Sequence, residues 1–447
     1  MTSTDRNDAG PSRPPDGSSP WAPPSRFDRF QHEVMAGGSV DESVDDQPTE
    51  PIGGGVEGAL GGLAIIGLLV WLGLSNGWML VFVVGILVSV FLHELGHFLT
   101  ARLTGMKATQ FFIGFGPRLW SFHRGETEYG VRLLPLGAFV KIIGMNNLDT
   151  VPAADEGRTY RQKSFPRRLL VVTAGSVMHL LIAVVLFFGL FAVKGEPVAV
   201  PGAEVRLVSQ GSAADAAGLR EGDVILAVGD AVIGTDGDIG AAVRASAPGD
   251  NVAVRFDRGG AEQTASATLG TNDDPASEFV GSALLGVSSS GASEWRDLSL
   301  GEAAVTSVTE LFPTTWESTK GIVKVLNPVN IVQHLTGSND DIATRPTTLV
   351  GVTQDSGDIG RGQGIAGIMY LLAVLNVFVG VFNMFPLLPL DGGHAAIAIY
   401  ERIRERMTGA RRYFVDVSRL TPFAMGVIAV LPLLFMSGLY LDITQPL

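Results

Sequence analysis

Residues 91–102 read FLHELGHFLTAR, and they close an apolar run that begins near Trp78. On a helix, His93 and His97 fall one turn apart on one face, so two imidazoles can grip one metal ion while Glu94 stands beside the water it binds. That spacing points to metal-assisted peptide hydrolysis. Its setting is a hydrophobic segment long enough to cross a bilayer, so a water-consuming site is expected inside a membrane protein.

Composition agrees. Of 447 residues, 46% are hydrophobic and 17% charged, too apolar for an ordinary soluble enzyme and suited to a multi-pass membrane protein with one or two soluble pieces. A net charge of −13 argues against a nucleic-acid partner. With no cysteine in the chain, any metal must be held by histidine and carboxylate.

Working outward from HELGH, two apolar runs, about 56–75 and 77–100, are parted by the turn-prone Ser75-Asn76-Gly77. They read as a hairpin of two crossings. Alternatively the first is re-entrant or interfacial, because Gly58, Gly61, Gly62, Gly67 and Gly73 weaken it. Residues 1–54, rich in Pro, Ser, Gly and Asp, cannot bury enough surface to fold and are expected to be a disordered tail. Residues 55–192 form an N-terminal membrane part that ends in a crossing from about 169 to 192. Within it, 101–168 is basic and so expected on the cytoplasmic side. Its stretch 111–145 alternates around Arg124-Gly125-Glu126 and predicts a small antiparallel meander. The exposed edge of that meander either pairs with a substrate strand or merely plugs the helix bundle.

Residues 196–288 are acidic and rich in Gly and Ala. In 211–233, GSAADAAGLREGDVILAVGDAVI, the pattern is a short helix, a turn at Arg220-Glu221-Gly222-Asp223 and a strand, with a helix at 238–245 and strands near 251–257 and 262–269 to follow. Residues 289–362 form an amphipathic connector, lying on the membrane surface or bridging to the next crossing. His334 in it is expected at the surface.

The C-terminal membrane part, 363–447, runs from about 366 to 385, through NMFPLLPLDGGH (383–394), to a last apolar run at 422–440. Arg402, Arg404, Arg406, Arg411 and Arg412 make the intervening loop cytoplasmic, so Asp391 falls at the end of the membrane where HELGH ends. A catalytic zinc takes three protein ligands, and Asp391 is the best third. Unpaired there it would cost roughly 2.5–3.5 kcal/mol on insertion scales. The bland alternative is an aspartate capping a helix, with HELGH a chance match.

At this point the chain resembles the site-2 protease family of intramembrane zinc metalloproteases, in its single-PDZ bacterial, actinobacterial-like form. The resemblance covers about 78–445 and rests on HELGH, on GFGPRLWSFHRGETEYGVRLLPLGAFVKIIGM (114–145), on the PDZ-like 211–233 and on NMFPLLPLDGGH. It implies four core transmembrane helices with one further N-terminal crossing, a membrane-associated β meander and one inserted α+β PDZ-like domain. It implies Zn2+ held by His93, His97 and Asp391, with Glu94 as catalytic acid and base, and Asn383 contacting the substrate backbone or the reacting carbonyl. Substrates would be single-pass membrane proteins already trimmed outside the bilayer, such as anti-sigma factors or signal-peptide remnants. The location would be the bacterial inner membrane, with the active site toward the cytoplasm and the PDZ-like domain outside.

One departure stands out. The family's Gly-Pro-x-x-Asn is here Gly175-Ser176-Val177-Met178-His179, so His179 either donates a hydrogen bond in the asparagine's place or is an ordinary buried histidine. His394 is expected outside the ligand set. The rival reading is a non-catalytic PDZ membrane scaffold with a vestigial metal site, in which Glu94 would have no use. Oligomeric state stays open.

Overall fold

The computed structural model describes residues 56–145, 149–273, 279–336, 345 and 348–444. The tail expected over 1–54 lies outside them. The described residues form two compact units, one comprising those up to Phe187 and from Ser307 onward and the other those of 188–306.

The first unit begins with α1 (Val56–Ser75) and α2 (Gly77–Leu103). The turn expected between them is a helix cap: the Asn76 side-chain oxygen accepts from Trp78 N, closing an otherwise open donor. Next come β1 (Ala108–Arg124) and β2 (Thr127–Ile142), joined through Gly125 at φ 66°. Instead of a meander, these two long strands form one hairpin that doubles back. Gln110–Ile113 pair with Ala138–Lys141 on one side and with Glu128–Val131 on the other. The cause is local. Gly114 and Gly116 take positive φ (89° and 80°), which breaks β1, and a Cβ on Gly130 would come within 2.4 Å of Phe112 and 2.5 Å of Trp120 O. The chain then enters α3 (Phe165–Lys194). Phe98, Met106, Phe111, Ile142, Tyr160, Val171 and Val172 form the core shared by α2, the hairpin and α3.

The second unit is a six-stranded sheet and a two-stranded ribbon, β8 with β9, together with two short helices. Its elements are β3 (Glu196–Val208), α4 (Ala213–Ala216), β4 (Val224–Val228), β5 (Ala231–Val232), α5 (Ile239–Arg244), β6 (Asn251–Arg258), β7 (Ala261–Thr268), β8 (Gly270–Thr271), β9 (Ala283–Leu284) and β10 (Val287–Arg296). The six-stranded sheet runs β10-β3-β4-β6-β7, with β5 on β4. Helix, turn and strand fall where 211–233 predicts them. Val205, Ile225, Val254, Phe256 and Leu269 fill its core. Asp223, in the predicted turn, is buried and chelated by Arg258 through two contacts of 2.7 Å, and it also accepts from Arg220 N at 2.7 Å.

From there α6 (Leu300–Thr309), α7 (Leu311–Val325) and α8 (Pro328–Leu335) lead to α9 (Leu349–Asn383), α10 (Asp391–Thr408) and α11 (Thr421–Thr444). Helix α7 exposes Phe312, Trp316 and Val323 while burying Thr314, Ser318 and Ile322. That apolar outer face suits a lipid-facing helix better than a solvated one. His334, expected at the surface, is instead 5% exposed because α8 packs on α11.

Helix α9 starts well before the expected 366, with a break at Gly364 (φ 62°, ψ −149°). Its early turns pack on the start of α2, where a Cβ on Gly360 would lie 2.3 Å from Trp78. Asp442 of α11 caps it, accepting from Thr348 N, Thr348 Oγ1 and Gly351 N. Among the described residues, four helices are long and apolar enough to cross a membrane, α2, α3, α9 and α11; the described apolar part of α1, Gly61–Ser75, is shorter.

Candidate metal centre and active site

Helix α2 places His93, Glu94 and His97 within about one turn, and α3 crosses it closely there. The crossing needs small residues. A Cβ on Gly96 would stand 2.9 Å from Ala174 O, and one on Gly175 would stand 2.3 Å from His93 Cε1 and 2.4 Å from His97 Nε2. The Gly175 of the departed motif thus makes the floor on which both imidazoles rest.

Helix α10 brings the third group. Asp391 is its first residue, and the two glycines after it let the helix start against the incoming chain: a Cβ on Gly392 would sit 2.2 Å from Met384 O. His93 Nε2 lies 3.2 Å from His97 Nε2 and 3.5 Å from Asp391 Oδ2, and His97 Nε2 lies 3.2 Å from the same oxygen. Ligands about 2.0–2.2 Å from a tetrahedral zinc stand roughly 3.3–3.5 Å from one another, so these three atoms fit such an ion. Asp391 Oδ2 is buried with no hydrogen bond of standard geometry. An orphaned carboxylate oxygen facing two ring nitrogens is costly unless a cation joins them. The donor set, two imidazoles and a carboxylate, is also one that zinc takes.

Surrounding contacts orient the set. His97 Nδ1 donates to Val171 O at 2.8 Å, which turns Nε2 toward the centre. Glu94 accepts from the backbone N–H of Val140, in the doubled-back hairpin. Glu94, His97, Asp391 and His394 line one cavity of about 370 Å³, together with Phe115, Ala138, Phe139, Val140, Ile142, Val171 and Pro389. His394 is 8% exposed and stands in the cavity wall beside the three.

His179 has a partner that the sequence did not announce. Its Nδ1 lies 2.8 Å from Asn376 Oδ1, while Asn376 Nδ2 donates to Leu372 O and to Ser89 Oγ. Because Leu372 O can only accept, the amide orientation is set and His179 Nδ1 is the donor. Its ring centroid is 4.9 Å from that of His93. Asn376 and Ser89 are ordinary polar residues in apolar runs, and only their burial together singles them out. Asn383, the last residue of α9, is half-buried and lies outside the lining of the cavity just described.

Membrane-crossing helices, an HELGH turn and a converging aspartate together define a membrane zinc metalloprotease. The chain matches peptidase family M50 over residues 81–428 and belongs to that family. It is 33% identical to zinc metalloprotease Rip1 of Mycobacterium tuberculosis over 357 residues, covering 74% of this chain and 87% of the relative. The Rip1 of Mycolicibacterium smegmatis is 32% identical over 404 residues, covering 82% of this chain and 97% of that one. The chloroplastic membrane metalloprotease ARASP of Arabidopsis thaliana is 29% identical over 336 residues, covering 74% and 71%. A solved PDZ domain of an SdrC-like protein from Listeria monocytogenes is 20% identical over 21% of this chain and 90% of that one, with a TM-score of 0.18, too low to define a fold.

Proposed function

We propose that this metalloprotease cuts within the membrane-spanning segments of single-pass proteins already trimmed outside the bilayer, among them anti-sigma factors and signal-peptide remnants, as a step of regulated intramembrane proteolysis. The observation that carries the reading is the meeting of His93, His97 and Asp391, the last two lining a cavity that Glu94 also lines, with both histidines on a helix apolar enough to cross a bilayer. His93, His97 and Asp391 would hold the zinc. Bound zinc would supply Lewis-acid polarisation of the scissile carbonyl and an acidified water at neutral pH.

The chain's own residues do the rest. Glu94, held by Val140 N–H, takes the proton of the attacking water and returns it to the leaving amide nitrogen. The 138–142 segment pairs with β1 on one side, and its residues border the cavity on the other. A substrate unwound to an extended strand would pair there, presenting its carbonyl to Glu94. Unwinding is required, because a helical peptide bond is screened by its own side chains. Asn383 would act on the substrate backbone as it enters.

The arginine-rich stretches 101–168 and 402–412 support a reading in which the catalytic end faces the cytoplasm across a bacterial inner membrane, with α1 as a further crossing and 196–288 outside. That last segment reads as a PDZ-like unit that binds chain ends or strands. The decisive experiment is Glu94→Gln in full-length protein with a membrane-anchored reporter. Cleavage should fall by about 10²–10⁴-fold while bound zinc and melting temperature stay unchanged; undiminished cleavage would sink the proposal.

A further inference from the structure

We propose that Arg168 and Glu401 are positioning residues whose buried ion pair holds Asp391 at its distance from His93 and His97. The inference rests on reading those three as the zinc ligands. Arg168 lies in the first turn of α3 and Glu401 in the middle of α10, 8% and 5% exposed, with Nη2 and Oε2 2.6 Å apart. The other carboxylate oxygen accepts from Val415 N at 2.8 Å, and the guanidinium stands 5.3 Å over the Tyr160 ring.

Helix α3 is the common rail. One turn on from Arg168, Val171 O accepts the hydrogen bond of His97 Nδ1, and a further turn on, Gly175 supports both imidazoles. Asp391 is the first residue of the helix that Arg168 grips. Two ligands are therefore indexed to α3 directly, and the third through the ion pair. A slip of α10 by one residue moves it about 1.5 Å along its axis, enough to carry Asp391 Oδ2 off its 3.2–3.5 Å spacing from the ring nitrogens. A 2.6 Å pair admits only one register.

Stability does not explain the pair. Desolvating two charges offsets most of their attraction, and apolar replacements of similar volume are often neutral. What a directional buried contact adds is a unique docking geometry.

The test uses full-length protein in detergent, with zinc affinity from chelator competition and kcat and KM from a membrane-anchored reporter at saturating zinc. Arg168→Met with Glu401→Leu should melt at or above the wild-type temperature, yet lose zinc affinity about 10–100-fold, as loss of an outer-shell support does, with kcat lowered and KM unchanged. Arg168→Lys keeps the charge but not the guanidinium's fixed fork; it should lose affinity to a smaller degree, and it decides the matter should the double variant not fold. Wild-type zinc affinity in the folded double variant, or in Arg168→Lys, overturns the inference. Asp391→Ala measured alongside separates two failures. If it keeps its zinc, the ligand reading falls; if it loses zinc while the ion-pair variants keep theirs, only the positioning role falls.

Discussion

His97 Nε2 stands 3.2 Å from Asp391 Oδ2, on helices from opposite ends of the chain. Val171 O fixes the other nitrogen of the same ring, so His97 is aimed before any metal arrives. On the proposed ligand set, replacing Asp391 by Ala leaves two of the three ligands that a catalytic zinc takes. Zinc measured in the purified variant should fall from about one per chain to near zero, and cleavage with it. Full occupancy would show that another group closes the site.

Gly175 tests how tightly the two imidazoles are seated. An alanine there puts a methyl 2.3 Å from His93 Cε1 and 2.4 Å from His97 Nε2, closer than any carbon tolerates. Overpacking of this kind costs about 1–3 kcal/mol, and the rings are the nearest atoms to yield. Gly175→Ala should therefore weaken zinc binding by about 5–150-fold, the same energy expressed as an equilibrium, with a smaller change in melting temperature. Unchanged affinity would mean that α3 yields instead.

Asn376 joins three helices through one amide, to His179 on α3, Ser89 on α2 and Leu372 on its own turn. Asn376→Leu strands the buried His179 donor. A loss of about 1–3 kcal/mol of stability is expected, read as a lowered melting temperature in detergent, with a smaller loss for Ser89→Ala, which removes only the end of the chain. Equal effects would argue that the network does not pass through Asn376.

In the second unit, burial by itself would raise the Asp223 carboxyl, but the Arg258 guanidinium and the Arg220 N–H outweigh it and hold the group below the usual carboxylate range. A depressed folded value stabilises the fold above the unfolded value of about 3.9 and is lost as pH falls through the folded one. Thermal melts at a series of pH values should show this unit weakening below about pH 4. Asp223→Asn should remove that pH dependence and cost about 1.5–3 kcal/mol at neutral pH, the worth of hydrogen bonds to a charged group. A variant as acid-sensitive as the parent would point to other carboxylates.

Much of this site is legible from residue order because its first half is local. His93, Glu94 and His97 share one turn of one helix, and a period of 3.6 alone puts them on one face. Asp391 is found by a weaker route, as a carboxylate in an apolar frame at the matching end of the membrane. The 211–233 turn is likewise local, and helix and strand fall where its Gly and Asp residues put them. The doubled-back hairpin is different. Alternation over 111–145 predicts strands, but which strands pair depends on the bend at Gly114 and Gly116, and that bend brings Gln110–Ile113 beside two partners at once.

Sequence by itself determined the apolar helices, the HELGH turn and the metal preference, since each follows from composition or from spacing within one element. Only the tertiary structure decided that His179 faces Asn376, that Val140 holds Glu94 and that Arg168 meets Glu401. Each of those contacts joins separate elements, and depends on how far one helix is rotated and shifted against another. In this chain glycines at the crossings set that docking, by where a Cβ would collide.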